Sequence, residues 1–193
     1  LHLFAKAESA LARLLELRGY ERVRTFLRMT IELASGYPEP FTPSGIDITP
    51  FRRGLDERDL HDVIESAFAD HFRFAAEPHD EWVARRVGHP EFDGDLWLLA
   101  REGETVVGGI LPYPFGDLGW VRELGVRDGW RGRGIGKALL LRAFHMFQER
   151  GRRKVSLGVD AANAWGAIKL YEDIGMFVEE RHDLYRLPVR LGR

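Results

Sequence analysis

The 193 residues hold 28 Lys and Arg against 30 Asp and Glu, a formal net charge of −2, which gives no reason to expect a nucleic-acid or acidic-membrane surface. Apolar residues make up 45% and charged residues 30%, enough for one domain of ordinary size with an appendage, and no run of about 18 apolar residues that would span a membrane is present. Cysteine is absent, which excludes disulfides, thiolate nucleophiles and cysteine metal sites.

The chain opens on Leu1 rather than Met, which leaves open whether a longer protein precedes it; the expected compartment is cytoplasmic. Residues 5–18 read as a helix carrying Leu11, Leu14, Leu15 and Leu17, stopped by Gly19. Residues 20–33 then alternate as a strand through Val23, Phe26, Met29, Ile31 and Leu33. The same grammar returns near the end, where a helix over 167–174 is stopped by Gly175 and followed by two expected strands. This internal similarity makes residues 1–34 the tail of a preceding, similar module, or else an ordinary N-terminal extension. On the repeat reading Leu15 stands where Tyr171 stands later.

Residues 35–45 are a proline-rich linker and the clearest boundary in the chain. Beyond it residues 46–51 form a strand, and Asp56 is placed to cap a helix running to Phe68. A polar-aromatic connection, 70–80, leads to a short helix over 81–87 and an Asp93-Gly94 turn. Strands over 96–101 and 105–113 make a hairpin about Glu102-Gly103, and a further strand covers 120–126.

The stretch that follows organises the rest. Arg127-Asp128-Gly129 is turn chemistry, then Arg131-Gly132-Arg133-Gly134-Ile135-Gly136 leads into a helix with Ile135, Leu139, Leu140, Ala143, Phe144, Met146 and Phe147 on one arc. Gly151 ends it. Glycines let a backbone approach a ligand, and the first N–H groups of a helix are unpaired donors at the positive end of its dipole. Strand, glycine turn and helix start therefore describe a phosphate cradle. It is not a P-loop, because Gly136-Lys137 is followed by Ala138; nor is it a dinucleotide fingerprint, because Lys137 stands where a third glycine belongs. A strand over 154–159 and a helix beginning at Asn163 come next.

Arg-x-x-Gly-x-Gly resembles the pyrophosphate-binding signature of the GNAT superfamily of acyl-CoA-dependent N-acyltransferases. A second motif agrees: Asn163-Ala-Trp-Gly166-Ala167-Ile-Lys-Leu170-Tyr171-Glu-Asp-Ile-Gly175-Met176 resembles the Asn…Ala-x-x-Leu-Tyr-Glu-x-x-Gly-Phe segment of that superfamily, in the form found in tandem-domain members related to mycothiol synthase, with Met176 in place of Phe. The resemblance covers about residues 46–190. It implies an α/β (α+β) GNAT-like fold with a mixed, largely antiparallel central sheet flanked by helices, preceded by the helix–strand remnant, with 46–193 as the acetyltransferase domain.

The chemistry it implies is direct transfer of an acetyl group from acetyl-CoA to a primary amine in a ternary complex. By resemblance, Leu124, Gly125 and Val126 line the strand edge, with the Val126 N–H as donor to the thioester carbonyl. Arg131, Gly132, Arg133, Gly134, Ile135, Gly136 and Lys137 hold the pyrophosphate, and Asn163 meets the pantetheine arm or simply caps its helix. Tyr171 is the acid for the leaving thiolate and also borders the cofactor. Glu123 is the candidate base, with Asp70, His71, Glu77 and His79 as alternatives. The alternative function is a non-catalytic acyl-CoA-binding sensor or scaffold. No metal is expected, because His71, Glu77, His79 and Asp80 lack zinc-ligand spacing. Expected partners are a small-molecule or peptide amine and either a missing N-terminal GNAT module or a second copy, with no nucleic acid and no membrane.

Overall fold

A computed structural model describes residues 1–163 and 166–188. The chain divides into two compact units, Leu1–Ile31 with Leu157–Arg193, and Glu32–Ser156. The elements in order are β1 (His2–Lys6), α1 (Ala10–Leu17), β2 (Glu21–Glu32), β3 (Asp47–Pro50), α2 (Glu57–Phe68), α3 (His79–Arg86), β4 (Leu98–Glu102), β5 (Thr105–Phe115), β6 (Leu118–Val126), α4 (Ile135–Glu149), β7 (Lys154–Asp160), α5 (Ala167–Asp173) and β8 (Phe177–Arg186). Two expectations need correction. The first helix starts at Ala10 under a Ser9 cap, because residues 2–6 pair with β8 as a strand. The two terminal strands are one, because β8 pairs along its length with β2.

In the larger unit the strands run β6-β5-β4-β3, each antiparallel to its neighbour. Helices cover both faces. Consecutive glycines on β5 show why: a Cβ at Gly108 would come within 3.1 Å of Ile135 on α4, and one at Gly109 within 2.3 Å of Leu60 on α2. An aromatic cluster fills the far end, with Trp97 packed on Phe51, Trp82, Phe92 and Tyr113. Asp56 stands one residue before α2, yet its carboxylate does not cap the helix. It accepts instead from the Arg52 N–H, the Arg52 guanidinium and Arg101. The proline-rich segment is not a free linker either: Tyr37 packs edge-on against Phe144 and donates to Gln148, and Thr42 accepts from Arg142.

At the far end of α4 the Gly151 N–H donates to the Gln148 carbonyl and the Arg152 N–H to that of Phe147, a Schellman ending that needs the positive φ of Gly151. The expected apolar arc is buried except for the half-exposed Met146, and Leu141 is buried in addition.

The smaller unit is internally symmetric. Its strands stand in the order β1-β8-β2, with the second half of β7 beside β2. Matching Glu21 to Phe177, the first residues of β2 and β8, maps their ladder onto itself. Glu21·Arg186 becomes Thr30·Phe177, Arg22·Tyr185 becomes Met29·Val178, Arg24·Leu184 becomes Arg28·Glu180, and Thr25·Asp183 becomes Leu27·Arg181. Phe26·His182 is its own counterpart, and the residues skipped at the two register shifts, Val23 and Glu179, also match. The helix ends repeat as well: Tyr20 N–H to Leu15 carbonyl at 3.0 Å, Met176 N–H to Tyr171 carbonyl at 2.9 Å. Each β–α–β repeat thus inserts its second strand between the two strands of the other.

Candidate active site

Residues 119–137 carry most of the expected site. β6 is kinked where Arg122 has no partner: Glu123 pairs with Leu111 and Val121 with Pro112, so one residue is extra. Past that bulge the Arg127 N–H donates to the Val107 carbonyl at 2.9 Å. N–H groups alternate sides along a strand, so those of Val126 and Leu124 point away from β5. Gly125 lies between them with its face against α2, where a Cβ would come within 2.9 Å of Ala67 Cβ. The strand edge is thereby drawn tight against α2.

The turn after β6 is a row of donors. Gly132 and Gly134 have φ of +75° and +81°, and nothing lies within 4 Å of the place a Gly132 Cβ would occupy. Gly134 is the residue before α4, which has no side-chain cap, and Ile135 beneath it is buried. Among the described residues the N–H groups of Gly132 to Lys137 have no hydrogen-bond acceptor, the first bond of the helix being Ala138 N–H to the Gly134 carbonyl. Unpaired amides on an open turn at a helix start fit a pyrophosphate. The Phe41 ring sits over Gly134, 3.4 Å from where a Cβ would be.

The arginines of the motif have protein partners. Arg131 donates to the Val126 and Ala67 carbonyls at 3.1 and 3.0 Å and pairs with Asp128, so its side chain ties β6, α2 and the turn together. Arg133 pairs with Glu102 at 2.7 Å, whose other oxygen accepts from the Trp130 indole. The open donors of the turn are backbone amides, and both guanidiniums hold protein groups around it.

Glu123 is nearly buried and accepts from Arg86 Nη2 and Nε through one oxygen, Oε1, at 2.6 and 3.0 Å. Its other oxygen is buried and has no hydrogen-bond partner among the described residues, as is Arg86 Nη1. Burial works against the Arg86 charge, but the hydrogen bond and charge of Glu123, and then the charge of Glu77, outweigh it and leave the guanidinium pKa raised. The Tyr113 hydroxyl donates to the Arg86 carbonyl and fixes the end of α3, and burial pushes that phenol's pKa up. Sequence reasoning missed Arg86: a basic residue in the last turn of a helix reads as dipole compensation.

The alternative bases lie apart in role. Glu77 takes Arg85 at 2.6 Å, and the His61 ring meets its carbonyl at 2.8 Å. His79 pairs with exposed Asp80, His71 packs on Phe68, and Asp70 is exposed. Among the described residues no group of three or more His, Asp or Glu is placed to hold a metal, and no helix is long and apolar enough to cross a membrane.

In the smaller unit Tyr171 is buried on α5, and burial alone raises its pKa to about 12. Asn163 stands before α5 and accepts from the Ala167 N–H through Oδ1 at 3.4 Å, so its helix begins four residues later than expected. Residues 164–165 of that motif, and 189–193, lie outside the described residues.

Comparison with known proteins decides the family. The model of the Acetyltransferase (GNAT) family matches residues 59–176. The chain belongs to the GNAT acetyltransferase family. Among curated relatives, the mycothiol acetyltransferases of Thermobispora bispora and Thermomonospora curvata are 34% and 35% identical over 86% and 88% of this chain. A GCN5-related N-acetyltransferase structure from Sphaerobacter thermophilus superposes with a TM-score of 0.84 at 37% identity over 95% of the chain. The chain spans 57–58% of the length of these three proteins.

Proposed function

We propose that the chain is a catalytic GNAT domain that transfers an acetyl group from acetyl-CoA to a primary amine by direct attack, with no covalent enzyme intermediate. The observation that carries this reading is the turn from Gly132 to Lys137: six amides without an acceptor among the described residues, continuous with a strand whose Val126 N–H faces away from β5. Acetyl-CoA supplies an activated thioester. The cradle amides bind its pyrophosphate, with Arg131 holding the turn in shape, and the Val126 N–H meets the carbonyl oxygen as negative charge develops there. Glu123 accepts a proton from the acceptor's ammonium, and the freed amine attacks. Tyr171, protonated throughout the neutral range, gives its proton to the leaving sulfur and regains one from the nitrogen that now carries the acetyl group. Asn163 orders the start of α5 and supports the pantetheine arm.

The curated relatives are named for mycothiol, and an acceptor of that thiol's class is the first to try here. We further propose that residues 1–34 are the tail of a preceding GNAT module and 46–193 the active domain. The self-matching ladder of β2 and β8 supports this.

The test is isothermal titration of the purified chain with acetyl-CoA beside desulfo-CoA and NAD, followed by a panel of primary amines. Saturable binding of both coenzyme A compounds, none of NAD, and amine-dependent thiol release are expected. Binding without release for any amine would turn the reading to a sensor or scaffold module.

A further inference from the structure

Arg86, Glu123 and Glu77 form one buried polar group. The guanidinium touches Glu123 with two donors at 2.6 and 3.0 Å, and its third nitrogen, Nη1, stands 3.7 Å from Glu77 Oε2 without a hydrogen bond. Glu77 is itself nearly buried, held through its other oxygen by Arg85 and through its N–H by Glu65. Arg122 adds a weaker contact to Glu123 at 3.8 Å. Two carboxylates therefore flank one buried cation, and the cation sits on the nearer of them. Glu123 Oε2 and Arg86 Nη1 are each left buried and unbonded, an arrangement that costs free energy unless another state satisfies both.

Such a state is reached if the guanidinium gives up both bonds to Glu123 and swings toward Glu77: Nη1, which stands 3.7 Å from Glu77 Oε2, then gains an acceptor, and Glu123 is left to a second cation. We propose that Arg86 is a placeholder for the acceptor's ammonium group, passing from Glu123 to Glu77 when the amine enters, and that the acceptor is consequently a protonated primary amine able to donate several hydrogen bonds to one carboxylate. This rests on the reading of Glu123 as the base. Arg86 is then a positioning residue: it keeps the Glu123 carboxylate aligned, and its replacement by the substrate's ammonium delivers the nitrogen to the base. Each carboxylate keeps a cationic partner in the exchange, since the ammonium takes the place of Arg86 beside Glu123 while the guanidinium pairs with Glu77. A neutral acceptor such as an alcohol cannot drive it, because it would leave Glu123 buried and uncompensated.

The 15N-labelled chain would be titrated with methylammonium chloride, with sodium chloride and tetramethylammonium chloride at matched ionic strength as controls, following the Arg86 Nε–H resonance assigned by its loss in Arg86→Lys. A saturable shift with methylammonium alone is expected, and in Glu77→Gln its midpoint should rise about tenfold, as for the loss of one charged partner. No shift, the same shift with all three salts, or a wild-type response in Glu77→Gln would overturn the proposal. With the best amine of the panel, Glu77→Gln should raise KM for the amine about tenfold and leave KM for acetyl-CoA unchanged; a fall in kcat with both KM values unchanged would count against it. Titrating the same samples with acetyl-CoA separates the two readings: methylammonium exchange without acetyl-CoA binding leaves Arg86 as the placeholder for an ammonium at Glu123 and removes Glu123 as the base of acetyl transfer, and the converse removes Arg86 alone.

Discussion

Tyr171, the acid of the proposed mechanism, is also a buried group whose titration bears on stability. Burial raises its pKa to about 12 from the ordinary 10, so the folded chain holds the phenolic proton more tightly than the unfolded chain does. Below about pH 10 both states are protonated and nothing is lost. Between about 10 and 12 only the unfolded state ionises, so stability should fall by up to ~1.4 kcal/mol per pH unit, and less steeply in Tyr171→Phe. Urea melts across that range would show it. At neutral pH the same variant should lose roughly 100-fold in turnover, as for removal of a general acid, with acetyl-CoA affinity retained in calorimetry. Asp56 works in the opposite sense. Burial opposes its charge, but Arg52 and Arg101 outweigh this and hold its carboxyl below the usual range. Its contribution is present above about pH 4 and lost as pH falls through the lowered folded value. Asp56→Ala should cost about 3 kcal/mol in a melt at neutral pH, because Arg101 is left without its buried partner, and the loss should shrink in acid.

At the scale of elements, Gly125 links fold to site. A methyl there meets Ala67 Cβ at 2.9 Å and Ile64 Cδ1 at 3.1 Å, so α2 must move outward. Gly125→Ala should destabilise by about 1–3 kcal/mol and weaken acetyl-CoA binding along with it, since Arg131 reaches from the turn to the Ala67 carbonyl. Thermal melts and calorimetry on one preparation would report both effects. The glycine turn and α4 are legible in sequence because their signals are local: glycines at fixed offsets, an apolar arc, a terminal glycine. β1 is not. Ala5, Lys6 and Ala7 favour helix, and only pairing with β8, far along the chain, makes residues 2–6 a strand. β8 read as two strands because Glu179 to Asp183 is a charged run. It stays continuous because Arg28 and Lys6 meet Glu179 and Glu180 across the ladder. Glu123 could be named from its strand position, whereas Arg86 could not, since its partner is fixed by how α3 packs and no spacing records that.

For the molecule as a whole, the smaller unit makes the N-terminal residues structural. β8 lies between β1 and β2, so removing residues 1–31 strips a partner from both of its edges. The truncated chain should be largely insoluble, and any soluble fraction should lack protection of the β8 amides in hydrogen exchange. A soluble, protected β8 would show that the second repeat stands alone.

The interleaving of the two repeats also sets a timetable. β2 leaves the ribosome before β8, and partners such as Glu21 and Arg186 are separated by most of these 193 residues. At about 5–20 residues per second, β2 waits on the order of ten seconds or more for its complement. During that interval the edge of β2 that pairs with β8, from Glu21 to Thr30, is open. A second nascent chain on the same message offers an identical β8 at high local concentration. Polysome crowding should therefore favour exchange of β8 between chains, so that dimers with swapped termini rise with expression rate and are relieved by slower synthesis.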